Sequence, residues 1–291
     1  MIQLDAATVL LQWAAGGLLF LWVTTRRREV GIGYGWLLRG VYAAMAVGAL
    51  AAGLALGGDT GRDACSALTA AAALVALTVS VVCRKAGVAG ERARKERVAA
   101  RLPPAVLGAE IHKERADLRQ EREGVAEFPP ALDLVAPVIG AIGLVFAGIH
   151  AGGNHDVLSV ARTLAGAAFL GAVSDAMLLG HWYLVQPGLG RAPLLELVKW
   201  TAWVWPIEVA LLLIPPGMID ALTGHIDDGW DGTLSWFWVA CALTTIVLCF
   251  VTRAALKERS YSAVMAATGL LYLAILTAFG TDLVARAILA G

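Results

Sequence analysis

The sequence predicts an all-α fold, a polytopic transmembrane helical bundle of about eight spans with both termini outside the cytoplasm. Composition makes the first cut: 58% of the 291 residues are hydrophobic, 16% are charged and the mean hydropathy is +0.70, far from a soluble domain. Segment length makes the second. A helix needs roughly 20 apolar residues to cross about 30 Å of hydrocarbon, and eight stretches reach that length. Loop charge makes the third, because basic residues stay on the cytoplasmic side of short loops. Eighteen Lys and Arg fall in alternate loops on one side, and Arg62 alone falls on the other.

Span one, Ala6 to Thr24, has no basic residue before it and is followed by Arg26, Arg27 and Arg28, the reverse of a secretory signal peptide, so it is expected to remain as an N-out helix. Span two, Trp36 to Leu56, and span three, Ala64 to Cys83, complete a three-span N-terminal segment, residues 1–83. Residues 84–130 are the only sizeable extramembrane piece. Helix formers with acids and bases three and four apart run from Glu91 to Arg101 and from Glu110 to Glu123, split by Pro103 and Pro104, which predicts a cytoplasmic helical hairpin. Its eleven basic and eight acidic residues nearly balance, which excludes a nucleic-acid patch. Arg92, Arg94, Lys95 and Arg97 are its candidates for docking a partner or anionic lipid.

Pro129 and Pro130 mark the stop before a five-span C-terminal segment, residues 131–291. Its spans are Ala131 to Ala151, Val157 to Val185, Leu194 to Met218, Thr233 to Thr252 and Ser262 to Leu289. Gly140, Gly143 and Ala147 make a small-residue stripe on span four, which suits close helix packing. The loops opposite the basic ones carry Asp5, Asp59, Asp63, Asp156, Asp220, Asp227, Asp228 and Asp231. This asymmetry predicts a bacterial-type plasma membrane protein, N-out and C-out. Four basic residues, Arg39, Arg162, Lys199 and Arg286, lie inside spans.

Ionisable groups in hydrocarbon cost a few kcal/mol near the centre, so they are where function is sought. Glu208 sits close to the middle of span six, two residues after Pro206, whose missing N–H frees a carbonyl one turn earlier. It is a candidate proton carrier or a buried ion-pair partner. Asp175 in span five is a second intramembrane acid, and Lys199 from span six is its expected partner. Ser174, His181, Trp182 and Tyr183 are the candidate wall and donors of an interfacial pocket for a quinone or a lipid headgroup.

Cofactor chemistry is otherwise thin. Haem is not expected, since His150 and His181 lie at opposite ends of their spans and a bis-His site needs two imidazoles at one depth. Cys65, Cys83, Cys241 and Cys249 form no C-x-x-C and read as packing residues. The loop from Asp220 to Asp231 offers oxygen ligands without EF-hand spacing, and no metal is assigned to it. No phosphate loop, nucleophile elbow or H-E-x-x-H occurs. With neither a catalytic set nor an internal repeat, the leading expectation is a subunit of a larger membrane assembly, respiratory or electron-transport in kind, with membrane lipid and other membrane subunits as partners. The alternatives are a proton-coupled small-solute transporter using Glu208 and Asp175, and a membrane-embedded lipid-modifying enzyme.

Overall fold

A computed structural model describes residues 2–86, 88, 127–186, 189–258 and 260–290. The expected hairpin, with Arg92, Arg94, Lys95 and Arg97, lies outside the described residues. Among those residues the fold is helical with no strand: α1 Ala6–Thr25, α2 Ile32–Leu56, α3 Thr60–Val82, α4 Val135–Gly152, α5 Asp156–Val185, α6 Ala192–Leu213, the short α7 Met218–Leu222, α8 Thr233–Ala255 and α9 Tyr261–Leu289. Single 3₁₀ turns, Cys83–Lys85 and Pro130–Leu134, follow α3 and lead into α4.

Helix starts follow ordinary capping chemistry. The Asp5 carboxylate accepts from the Ala7 and Thr8 N–H groups ahead of α1, Asp59 does the same for Gly61 ahead of α3, and Ser260 for Ala263 ahead of α9. The expected sixth span, Leu194 to Met218, is shortened to α6. Pro215 and Pro216 cannot donate to a helical ladder, and Ile214 before them is extended (φ −55°, ψ 131°).

Seven helices are long and apolar enough to cross a membrane: α1, α2, α3 and α4 with their flanking 3₁₀ turns, α5, α8 and α9. That is the pattern of a multi-pass membrane protein. The remaining long helix, α6, is not among the seven, because its 22 residues carry Glu196, Lys199 and Glu208. The surface agrees with an apolar solvent: Leu54, Trp203, Trp236 and Leu276 are each at least 66% exposed, whereas Arg39, Arg162, Asp175, Glu208, Asp282 and Arg286 are all 2% or less exposed. In a soluble domain the two sets would be exchanged.

Helices α1 and α5 form the middle of the bundle, 67% and 61% buried against 33–44% for the other five candidate spans. Helix α1 packs on α2, α4 and α5, and α5 adds α6 and α9; α8 and α9 pair as a hairpin, with α8 also touching α6. The α1–α5 crossing is backbone on backbone. A Cβ at Gly16 would overlap the Ala167 carbonyl, and one at Gly171 would overlap the Gly16 carbonyl. The span-four stripe packs as expected, Gly140 on Ala15 of α1 and Gly143 on Cys65 of α3.

The two ends of the bundle differ. At one, Ile2 packs with Ile288 and Leu289, and Arg286 donates to the Gln3 carbonyl at 3.3 Å, so the chain's two ends meet. At the other, Glu196 pairs with Arg26 (2.6 Å) and Arg27 (3.0 Å), and Glu127 pairs with Arg28 (2.6 Å). Arg191 there donates to the carbonyls of Leu256, Glu258 and Ser260, closing the C-terminus of α8.

Gly171→Val forces the central crossing apart and is expected to lower thermal stability by about 1–3 kcal/mol, the usual cost of overpacking a well-packed core. Gly40→Ala, in a helix position with nothing within 4 Å of the added carbon, leaves stability unchanged or slightly improved. Melting of both variants in detergent checks this pair.

Candidate functional site: a buried acid pair held by four helices

Depth along a span decides which ionisable groups sit in the apolar interior, and helix packing decides which of them meet. Five polar side chains from four helices do meet near the chain-end side: Gln12 of α1, Arg162 of α5, Glu208 of α6, and Asp282 and Arg286 of α9. None is more than 1% exposed. Asp282 and Arg286 stand one helical turn apart, and the Arg286 Nε donates to Asp282 Oδ2 at 2.9 Å. Gln12 Nε2 donates to the other oxygen, Oδ1, at 3.3 Å. Gly166 makes this approach feasible, since a Cβ there would lie 2.6 Å from Asp282 Oδ1 and would overlap the Gln12 amide.

Glu208 completes the group. It is fully buried, in the field of Asp282, Arg286 and Arg162. Arg162 is turned the other way, with Nε donating to the Leu211 carbonyl at 2.9 Å and Nη2 to those of Ile214 (2.6 Å) and Pro216 (2.9 Å). These are carbonyls at the end of α6, so Arg162 supplies the donors that two prolines cannot.

The pattern of unpartnered atoms assigns the roles. Both Asp282 oxygens accept from N–H donors, whereas neither Glu208 oxygen has a donor. Arg162 Nη1, Arg286 Nη2 and Gln12 Oε1 also lack partners, so five of the nine unpartnered buried side-chain atoms among the described residues belong to this one group. The N–H donors of the group are therefore spent on Asp282, and Glu208 is the acid left without one.

A cavity of about 20 Å³ reaches this group from the end where the termini meet, with room for one or two waters. Asp5, Thr8, Asp59, Arg62, Thr163 and Arg286 are among its walls. Arg62 is 4% exposed and pairs with Asp5 and with Asp63 (2.8 Å), so the cavity wall is itself an ion-pair network.

The other sequence-derived candidates divide. Asp175 is fully buried; Tyr42 donates to its Oδ1, Oδ2 has no partner, and Tyr34 donates to its backbone carbonyl at 3.3 Å. The expected Asp175–Lys199 pair does not form. Lys199 lies on the exposed face of α6, because the shared depth of the two residues says nothing about the direction in which each helix presents them. Ser174, His181, Trp182 and Tyr183 each bond a different partner. Ser174 accepts from Trp13 Nε1 at 2.9 Å, His181 is exposed beside Tyr272 (3.3 Å), Trp182 bonds Gln186 at 3.0 Å, and the buried Tyr183 hydroxyl donates to the Gly190 carbonyl. Trp182 and Tyr183 point about 100° and 200° round from His181, whereas Ser174, seven residues back, shares the His181 face about two turns away.

Toward the arginine-rich end, Arg39 makes a two-pronged pair with Asp133 (2.7 Å each), bonds Ser80 at 3.2 Å and stacks on Phe128 at 4.3 Å. Arg39 borders a cavity of about 40 Å³ together with Arg28, Gly35 and Glu127. All four cysteines are free, three of them buried. Asp282, Gln12 and Tyr42 were absent from the sequence-derived candidates. The acid and base four apart at Asp282 and Arg286 were the one signal that could have exposed them.

The chain matches no protein-family model, no curated protein and no solved structure.

In the loop before α8, Asp228 accepts from the N–H groups of Ser235, Trp230 and Gly232 (2.9 Å each) and from the Ser235 hydroxyl (3.0 Å). These donors, the Ser235 N–H first, hold its carboxyl down at about 2, from an ordinary value of 3.8. A depressed carboxylate stabilises the fold above the unfolded value and loses that contribution as pH falls through the folded one. Melting temperature is therefore expected to drop between about pH 4 and pH 2 in the wild type, with a shallower drop in Asp228→Asn; parallel slopes would contradict it.

Proposed function

We propose that the protein is a proton-coupled small-solute transporter with Glu208 as its proton carrier, and the observation that carries this reading is the fully buried Glu208, whose carboxyl oxygens lack a donor, in a group that also holds the Asp282–Arg286 ion pair. A structural ion pair in a membrane interior is normally closed on itself. This one leaves two carboxyl oxygens, two guanidinium nitrogens and an amide oxygen without partners, beside a cavity that reaches Arg286. Such a group can exchange a proton at low reorganisation cost. Asp175 is the second proton-holding station, nine residues beyond Gly166 on α5 and therefore about 13 Å along the axis.

The lipid-modifying enzyme drew on the His181 region, and the assembly subunit on short loops, small-residue stripes and the lack of a catalytic set; neither has an observation as specific as the buried Glu208 behind it, and both rank below transport.

We read the chain as eight passes with both termini on the non-cytoplasmic side of a bacterial-type plasma membrane. Seven passes would separate the termini, and the contacts of Ile2 and Gln3 with the end of α9 support an even number, with α6 as the eighth. The positive-inside rule then puts the Arg26 to Arg28 end, and the hairpin between spans three and four, in the cytoplasm.

In a cysteine-free background, Gln3→Cys and Ala290→Cys are expected to react with an impermeant maleimide in intact spheroplasts, and Lys257→Cys only after lysis. Reaction of the terminal cysteines only after lysis would reverse the orientation.

For the carrier, proteoliposomes holding a pH dye are given an acid jump in potassium chloride with valinomycin present. Wild-type protein is expected to speed collapse of the gradient and Glu208→Gln to return it to the protein-free rate. Equal rates for the two would remove Glu208 from the pathway.

A further inference from the structure

The end of the bundle away from the buried acids carries a small basic cluster at the foot of α6. Glu196 meets Arg26 at 2.6 Å and Arg27 at 3.0 Å, both from the turn that follows α1. Arg27 uses Nε alone for this pair and stays 45% exposed. Lys199 stands one turn further along α6, beside Glu196, and is exposed with no ion pair among the described residues. Three positive charges thus gather around one negative charge. Neighbouring acids do not restore the balance: Glu127 pairs with Arg28 (2.6 Å), and Glu29 acts on Tyr183, as Arg191 does.

The same face of α6 changes character with depth. Glu196, Lys199, Trp200, Trp203 and Ile207 are the i, i+3, i+4, i+7 and i+11 positions of one helix and lie within about 100° of arc. Trp200, Trp203 and Ile207 are 42%, 66% and 55% exposed. From Glu196 to Ile207 the axis rises about 16 Å, half of a hydrocarbon core of about 30 Å. Charge at the surface, two indoles below it and an aliphatic side chain near mid-depth match the headgroup, ester region and acyl chain of a lipid in order. Helix α1 supplies the second wall, with Phe20 edge-on to Trp200 at 6.1 Å and the Arg26 guanidinium over Trp22 at 5.1 Å. We propose that this α1–α6 face binds an anionic phospholipid, its phosphodiester held by Arg27 and Lys199 and an acyl chain laid along Trp203 and Ile207. Guanidinium and ammonium donors answer phosphate oxygens, and the long Lys199 stem reaches back to the headgroup while its carbons stay in hydrocarbon. A free phosphate would use only the charged end, whereas the exposed indole and aliphatic stripe calls for a lipid.

Delipidated protein in mild detergent is titrated with dioleoylphosphatidylglycerol, dioleoylphosphatidylcholine or glycerol 3-phosphate; native mass spectrometry counts bound lipid and melting is followed alongside. The expected result is that phosphatidylglycerol is retained and raises the melting temperature, and that neither of the other two does so. Arg27→Gln/Lys199→Gln is expected to weaken that binding about thirtyfold, the effect of removing two basic groups that face an anionic lipid. Arg84→Gln/Lys85→Gln, in the exposed turn after α3 at the same end, is expected to bind as the wild type does. Equal weakening in the two double variants would reduce the effect to diffuse surface charge and overturn the site. Phosphatidylcholine bound as tightly as phosphatidylglycerol, or glycerol 3-phosphate stabilising as well as the lipid, would overturn it from the wild type alone, whether or not the variants fold.

Discussion

A guanidinium inside an apolar bundle has to be met by oxygen, and in this protein four of them are, each by oxygens from outside its own turn or its own helix. Arg39 reaches from α2 to Asp133 ahead of α4, and Arg62 from α3 to Asp5 ahead of α1. Arg162 reaches from α5 to the end of α6, and Arg286 from α9 to Gln3 as well as to Asp282. Hydrophobic burial cannot by itself choose neighbours among helices surrounded by lipid, since lipid is as apolar as leucine. The arginines supply that choice, because each has one set of oxygens that answers its fork and no water to substitute for it.

Glycine serves the same constraint. One set lets backbones touch: Gly16 and Gly171 at the α1–α5 crossing, Gly140 and Gly143 on α4, and Gly148 against Val160. A second set lies against charged or amide side chains instead. Gly35 faces Arg39, Gly53 faces Asp63, Gly58 faces Arg62, Gly166 faces Gln12 and Asp282, and Gly217 faces Arg162. Every described buried arginine except Arg286 thus has a glycine clearing the space beside its guanidinium. The two uses look alike in the sequence and differ entirely in what a methyl group would strike.

Much of the fold was legible because hydropathy reports depth. The helices begin and end near the expected positions, the described loop residues Arg26, Arg27, Arg28 and Arg191 lie at one end, and Arg39, Arg162 and Arg286 are inside as their positions required. Azimuth was not legible. Spans that are apolar nearly all round carry no periodic mark of which face meets which neighbour, so Lys199 was matched to Asp175 by depth alone. Glu208 was singled out for a place in the middle of span six, but α6 ends at Leu213 and leaves it five residues from that end. Asp282 was not, because it lies 74 positions away in sequence and only the packing of α6 on α5 and of α9 on α5 brings the two together.

Helix α1 links the two acid stations through adjacent residues. Gln12 holds Asp282, while Trp13 holds Ser174, next to Asp175, and packs edge-on against Phe279 of α9 at 4.5 Å. Between the two acids lies the Gly16–Gly171 crossing, where Tyr42 packs on Gly17 and carries its hydroxyl to Asp175. The stations also differ in access: Arg286 lines a cavity at the chain-end side, whereas Asp175 borders neither cavity and is enclosed by Tyr34 and Tyr42. Because Gln12 and Trp13 are neighbours on α1, a displacement of α1 against α5 would act on Asp282 and on Ser174, beside Asp175, together.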